Sequence, residues 1–150
     1  RAPPLAMEGA AGSVGALAGG ALFATGWLLW VDGVASAHSE YGYSTSAVEW
    51  LPGIMQTISL LMVNLVSWSA MTDGGFDDSL AKKVKAWVFI SFVFAFLGLI
   101  ATIYLTAREM NSPTAVGSSG PAVRGLLQNV LIFVGSLAFR VGRLHDSESD

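Results

Sequence analysis

Residues 21–33 read ALFATGWLLWVDG, an apolar stretch in which two tryptophans three residues apart precede the first charge, Asp32. Side chains three residues apart share a helix face, so Trp27 and Trp30 lie together. Aromatic residues followed by a first charge are typical of a membrane-spanning helix that reaches the lipid headgroups. Asp32 lies about 200° around the helix from Trp30. If the tryptophans face lipid headgroups, Asp32 therefore faces protein.

The rest of the chain has the same apolar character. Of its 150 residues, 53% are hydrophobic and 13% are charged, and the mean hydropathy is +0.56. Uncharged stretches of 23, 23 and 22 residues end at Asp32, Asp73 and Arg108. Each stretch exceeds the roughly 20 residues that cross a bilayer's hydrocarbon core. The sequence therefore predicts three membrane spans.

A fourth span is predicted between Arg124 and Arg140, where only 15 residues are uncharged. As a helix these residues cover roughly 22 Å, which falls short of the hydrocarbon core. Arginine stems can lie along apolar surface while the guanidinium reaches the interface, and this adds length at both ends. A buried helix of a soluble protein is the alternative, but it would have to lie beside three membrane helices.

The predicted fold class is all-α, an integral membrane four-helix bundle that forms one domain over residues 1–150. The expected spans are residues 13–34, 51–71, 86–106 and 121–139, followed by a polar tail at 140–150. An even number of spans places both termini on one side of the membrane. That side holds six of the eight basic residues: Arg1, Lys82, Lys83, Lys85, Arg140 and Arg143. The positive-inside rule makes it the cytosolic side, or its equivalent.

Small residues recur every four positions along the first span: Gly12, Ala16, Gly20 and Ala24. Such a stripe lets another helix approach closely, so we expect it to pack within the bundle or against another protein. Gly15 and Gly19 lie beside it. The alternative is that small residues are simply common in membrane helices.

Polar residues near or within the spans give two further hypotheses. Asp32 ends the first span and Arg124 begins the fourth on the same side, which suggests an ion pair with a structural role rather than one in proton coupling. Asn64, Gln128 and Asn129 are amides within spans, where such groups usually form hydrogen bonds that join helices. The alternative is a polar site for a lipid headgroup, a pigment metal or a substrate.

Several kinds of site find no support in the sequence. The absence of cysteine removes disulfides, iron-sulfur clusters and thiolate zinc sites. His38 and His145 lie outside the spans on opposite sides, so they cannot share a metal. There is no nucleophile with a spaced histidine and no glycine-rich phosphate loop. We therefore expect no enzymatic activity, no cofactor, no metal and no nucleic-acid partner.

Several strings, in order, resemble the transmembrane protein 50 family, which includes a fungal vacuolar-protein-sorting subunit. They are TGW at 25–27 with Asp32, LMVN at 61–64, KAWVF at 85–89 leading to FAFLGLIA at 94–101, the pair Gln128 and Asn129, and FRVGR at 139–143. The resemblance covers roughly residues 17–146. It implies a four-helix protein of endosomal, Golgi or vacuolar membranes that works in sorting with another small membrane protein. It implies no catalytic residue.

The expected function is that of a small accessory or assembly subunit, whose partners are other membrane proteins and bound lipids. One alternative is an accessory subunit of a photosynthetic or respiratory complex in a thylakoid or organelle inner membrane, with a pigment metal held by Asn64, Gln128, Asn129 or His38. Another is a small transporter or channel that uses Asp32 and the amides as its path. It would need polar residues through the full membrane depth.

Overall fold

Four α-helices make up the part of the chain that the computed structural model describes. The backbone is described for residues 5–66, 78–112 and 119–147, and side chains for residues 12–66, 81–112 and 120–142. These residues contain no strand. The helices are α1 (Leu5–Tyr41), α2 (Ala47–Asn64), α3 (Asp78–Met110) and α4 (Ser119–Ser147).

Three of the helices are long and apolar enough to cross a membrane, in the segments Gly12–Tyr41, Ala81–Met110 and Gly120–Gly142. The segment in α4 runs past both arginines that were expected to limit the fourth span. Arg124 binds a carboxylate of α1 and Arg140 binds a carbonyl of α2, so both charges have partners on neighbouring helices. Counting uncharged residues therefore underestimated this helix, which also continues to Ser147 through most of the expected polar tail.

The short helix is α2, which has 18 residues and a length of about 27 Å. It begins at Ala47, earlier than expected, because Ser46 and Glu49 form a capping box. The backbone N–H of Ser46 donates to Glu49 Oε1 at 3.3 Å, and the backbone N–H of Glu49 donates to the Ser46 carbonyl at 3.1 Å. This exchange satisfies donors that the first helical turn leaves unpaired.

The other end of α2 is fixed by side chains from two neighbouring helices. The last four carbonyls of a helix have no partner within it. Here the Trp87 indole N–H donates to the Met62 carbonyl at 2.9 Å, and Arg140 Nη1 donates to the Val63 carbonyl at 3.1 Å. These bonds satisfy carbonyls at the end of the helix, which ends at Asn64, before the predicted limit at residue 71. Residues 67–71 of that prediction lie outside the described part.

Chain direction alternates between successive helices. Gly15 lies against Gly142 and Gly33 against Arg124, so α1 and α4 are antiparallel. Gln56 contacts Ala95 and Ser59 contacts Ser91, so α2 and α3 are antiparallel too. Helix α2 runs parallel to α4, since Gly53 lies against Gln128 and Val63 against Arg140. The start of α1 and the end of α4 consequently lie at one end of the bundle.

We call this end the basic end, because Lys82, Lys83 and Lys85 of α3 lie there, close to the C-terminal end of α2. The opposite end carries Trp30, Tyr43 and Trp50, and we call it the aromatic end.

The interior of the described bundle is more polar than its surface. The buried polar residues outnumber the buried hydrophobic residues: the former are Gln56, Ser59, Ser91, Thr102, Thr106, Gln128 and Asn129, and the latter are Trp30, Ala37, Val63, Ala95 and Ile132. Large apolar side chains lie outside, among them Leu17 (77% exposed), Leu28 (70%) and Phe89 (69%). In water, each such exposure would forgo about 1.5–3 kcal/mol of burial free energy. This arrangement is stable when hydrocarbon surrounds the helices.

Helix α1 lies unusually close to α4 along a seam of glycines. A Cβ atom added to Gly15 would lie 2.7 Å from the Cα of Gly142, and one added to Gly19 would lie 2.8 Å from the Gly135 carbonyl oxygen. Only residues without a side chain permit this approach of two backbones.

Candidate functional site

Three tryptophans join α1 to α2 at the aromatic end. Trp27 stacks on Trp50 with ring centroids 6.2 Å apart, and Trp30 meets Trp50 edge-on at 5.8 Å. The Trp27 indole N–H donates to Thr57 Oγ1 at 3.2 Å. Such aromatic pairs contribute about 0.5–1.5 kcal/mol each beyond the area they bury. The cluster is the main side-chain connection between these two helices in the described structure.

The premise that both tryptophans face lipid headgroups does not hold for Trp30, which is only 3% exposed. Two residues distant in sequence explain this. Trp50 supplies an aromatic partner from α2, and Gly125 of α4 leaves room for the indole: a Cβ atom there would lie 2.9 Å from Trp30 Cζ3. Neither could be inferred from residues 21–33 alone.

Asp32 and Arg124 lie in contact at the edge of the same end. Arg124 Nη1 donates to Asp32 Oδ2, and the side chains of Arg124 and Asp32 are 36% and 68% exposed. Asp32 therefore meets protein only through this pair and is otherwise on the surface. The Arg124 stem covers Gly33, where a Cβ atom would lie 2.6 Å from Arg124 Cδ. An exposed pair of this kind contributes about 0–1 kcal/mol.

A small polar cavity of about 30 Å³ lies between the helices at the aromatic end. Its lining comes from all four helices and the first loop: Trp30, Tyr43, Glu49, Thr102, Leu105, Thr106, Arg108, Glu109, Ala122 and Gly125. This volume has room for about two water-sized groups.

Tyr43 and Glu49 form the wall of the cavity contributed by the first loop and α2. The Tyr43 hydroxyl donates to Glu49 Oε2. Burial raises the pKa of Tyr43 above its ordinary value, and the hydrogen bond and negative charge of Glu49 raise it further. The phenol therefore stays protonated at neutral pH and keeps donating to the carboxylate.

Of the predicted amides, Gln128 and Asn129 are buried in the bundle and Asn64 is half-buried. Asn64 Nδ2 donates to the Leu60 carbonyl and Asn129 Nδ2 to the Gly125 carbonyl, each at 2.8 Å. Within the described part of the chain, Gln128 Nε2, Asn129 Oδ1 and the indole nitrogen of Trp30 are buried without a hydrogen-bond partner. A buried polar group without a hydrogen bond lowers the stability of the fold by about 1–3 kcal/mol. A water or a ligand that bonds to any of these three atoms would recover this free energy.

Two polar residues that sequence reasoning missed join helices directly. Gln56 Nε2 donates to the Ala95 carbonyl at 2.8 Å, and Ser59 Oγ donates to the Ser91 carbonyl at 2.7 Å. Their spacing could have identified them, since residues three apart share a helix face.

The predicted stripe of small residues lies partly outside the bundle. Gly12 is buried and Ala16 is half-buried, whereas Gly20 and Ala24 are exposed. A Cβ atom on Gly20 would have no neighbour within 4 Å. Gly15 and Gly19 beside it make close contacts with α4.

An apolar groove of about 190 Å³ opens next to Gly20, between α1 and α2 and above α4. It is lined by Gly19, Gly20, Phe23, Thr57, Leu60, Leu61, Gly135 and Phe139. The groove lies nearer the basic end than the tryptophan cluster, so it is separate from the polar cavity.

The histidines show no metal-binding arrangement in the described part. His38 is exposed, with Nδ1 3.0 Å from the Tyr43 carbonyl oxygen. The side chain of His145 lies outside the described residues. Among those that are described, no three His, Asp or Glu side chains form a group that could hold a metal.

The apolar helices and the polar interior define the class of this molecule, a helical integral membrane protein. The family described as "Uncharacterised protein family (UPF0220)" matches residues 2–148. A relative from Dictyostelium discoideum, described as "Transmembrane protein 50 homolog", is 33% identical over 128 residues, which covers 79% of this chain and 81% of the relative. The chain belongs to the transmembrane protein 50 family, so the resemblance found in the sequence is confirmed. Neither description names an enzymatic activity, and no solved structure matches the chain.

Proposed function

We propose that this protein is a non-enzymatic accessory or assembly subunit that docks on another membrane protein through the groove between α1 and α2. The observation that carries the proposal is the groove itself, about 190 Å³ of apolar space beside the exposed Gly20. The occupant is a transmembrane helix of the partner.

The shape of the groove favours a helix as the occupant. Its floor includes Gly19 of α1 and Gly135 of α4, which have no side chains. Along α1, Gly20 at its edge is followed one turn later by the exposed Ala24. Membrane helices associate where small residues let backbones come close, because lipid supplies no hydrophobic drive between them. A partner helix seated there would bury small residues that the bundle leaves exposed.

The proposal includes a fourth crossing by α2, with both termini on the cytosolic side. Along α2, Leu51 (50% exposed), Ile54 (42%) and Ile58 (39%) form an outward apolar stripe away from the groove, which suits contact with lipid. Its final carbonyls are bonded to other helices, as required of backbone that ends at membrane depth. Lys82, Lys83 and Lys85 at the basic end favour the cytosol for that end.

Labelling of single cysteines from outside the cell or vesicle tests this topology, because the chain contains no cysteine of its own. Added outside sealed vesicles of the proposed organelle membranes, whose outer face is cytosolic, a membrane-impermeant maleimide should label cysteine at Lys83 directly, and at Ser39 and Asn111 only after permeabilisation. If Ser39 and Asn111 are labelled from opposite sides, α2 does not cross and the four-span topology is wrong.

Copurification tests the docking site. Gly20→Leu places a bulky side chain at the groove and should abolish recovery of the partner while the isolated protein stays folded. Ala18→Leu is the matched control: Ala18 is exposed on the same helix but lies about 200° around it from Gly20. Equal recovery of the same membrane protein with both variants would refute docking at the groove.

We further propose that the partner is a small membrane protein and that the two act in sorting within endosomal, Golgi or vacuolar membranes. Family resemblance supports this role. A tagged protein should colocalise with endosomal or vacuolar markers, and Gly20→Leu, but not Ala18→Leu, should missort vacuolar cargo. Normal cargo sorting in cells that lack the protein would refute the role.

A further inference from the structure

We propose that the polar cavity at the aromatic end binds a primary ammonium group, supplied by the headgroup of a zwitterionic phospholipid or by a free amine. This site is separate from the docking groove and does not depend on it. Its position among Trp30, Trp50 and Tyr43, beside the Asp32–Arg124 pair, corresponds to the headgroup layer of a membrane.

The charges of the lining favour a cation with an attached anion. Two carboxylates, Glu49 and Glu109, and one guanidinium, Arg108, line the cavity. Glu49 is held in place by Tyr43 and by Ser46 Oγ, which donates to Oε1 at 3.1 Å. The carboxylates can bind an ammonium by charge-assisted hydrogen bonds, and Arg108 can bind an adjoining phosphate.

The aromatic lining adds a second, independent reason. Trp30 and Tyr43 both line the cavity, and aromatic rings attract cations through their π faces. Trp30 is 3% exposed, yet its indole nitrogen has no hydrogen-bond partner among the described residues. The described protein thus leaves a buried polar atom of this lining residue open to a bound group.

The size of the cavity selects the kind of ammonium. About 30 Å³ admits a primary ammonium group and little more, so a bulky quaternary ammonium should bind less well. The remainder of the ligand would lie outside, where a lipid's acyl chains would remain in the bilayer.

Titration of the purified full-length protein with soluble probes tests the site. Glycerophosphoethanolamine should bind more tightly than glycerophosphocholine, and glycerophosphoglycerol, which has no ammonium, should not bind. Glu109→Gln removes the charge with little change of shape and should weaken ethanolamine and glycerophosphoethanolamine at least about tenfold. Glu40→Gln is the matched control, because Glu40 is an exposed carboxylate at the same end that does not line the cavity.

Comparison with free ethanolamine separates the two sources. Tighter binding of glycerophosphoethanolamine that Arg108→Gln abolishes identifies a phospholipid headgroup, and equal binding of the two probes identifies a free amine. Equal effects of Glu109→Gln and Glu40→Gln, or binding of glycerophosphoglycerol at similar affinity, would overturn the proposal. Nuclear Overhauser contacts between ethanolamine methylenes and the Trp30 indole give a readout without any variant, and their absence at saturating ethanolamine would also overturn it.

Discussion

Adjacent glycines of α1 should respond in opposite ways to the same substitution. In Gly19→Ala the new Cβ would lie 2.8 Å from the Gly135 carbonyl oxygen and 2.9 Å from the Cβ of Phe139. Both atoms belong to the rigid part of α4, so the two helices must move apart. In Gly20→Ala the new methyl group meets nothing within 4 Å.

The expected difference between the two variants follows from overpacking alone. Both replace glycine by alanine in the middle of one helix, so their gain in helix propensity, up to about 1 kcal/mol, is shared. Inserting a carbon into a close-packed contact costs about 1–3 kcal/mol. We therefore expect Gly19→Ala to be less stable than Gly20→Ala by about 1–3 kcal/mol.

Reversible unfolding in mixed micelles, with increasing fractions of a denaturing detergent, measures this difference. Helical structure followed by circular dichroism would report loss of the fold, and tryptophan fluorescence would report separation of α1 from α2. If the two variants have the same unfolding midpoint, or if Gly20→Ala is the less stable, then Gly19 does not face α4 and the seam is misplaced.

Three further substitutions have clear expected outcomes. Asp32→Asn should lower stability by less than about 1 kcal/mol, with a smaller effect at high salt, because the pair with Arg124 is exposed; a larger loss in unfolding assays would contradict this. Ser59→Ala removes the bond to the Ser91 carbonyl and should cost about 0.6–2 kcal/mol in the same assay; no loss would show that this bond does not hold α2 to α3. The pKa of Tyr43 is higher in the folded protein than the ordinary tyrosine pKa of about 10. Below about pH 10 its hydrogen bond to Glu49 therefore stabilises the fold fully. This contribution to stability falls as the pH rises through the higher folded-state pKa. Tyr43→Phe should therefore be destabilised at neutral pH by a margin that narrows in strong alkali, and a margin that widens there would reverse the sign of the shift.

Local sequence patterns predicted the helical class, the membrane environment and the family. Uncharged stretches longer than a bilayer and the order of short strings carry this information without any knowledge of packing. The same patterns failed to show which helix is short. That depends on Trp87 and Arg140, which bind the last carbonyls of α2 from other helices.

Contacts between distant residues also decided which small residues meet α4. Gly15 and Gly19 have the same four-residue spacing as Ala16 and Gly20, so the spacing alone cannot choose between them. The choice depends on Gly135 and Gly142 of α4, which have no side chains and lie opposite Gly15 and Gly19. Burial of Trp30 likewise depends on Gly125, and the polar cavity combines residues from all four helices.

The central claim is that hydrocarbon surrounds a bundle whose polar side chains face inward. Spin labels at single cysteines along α2, in protein reconstituted into bilayers, test it most directly. At Leu51, Ile54 and Ile58 the label should collide often with oxygen and rarely with a water-soluble nickel chelate, and at Gln56 and Ser59 it should collide rarely with either. High accessibility to the nickel chelate at Ile58 would show that water covers the outer face of α2 and would contradict the account.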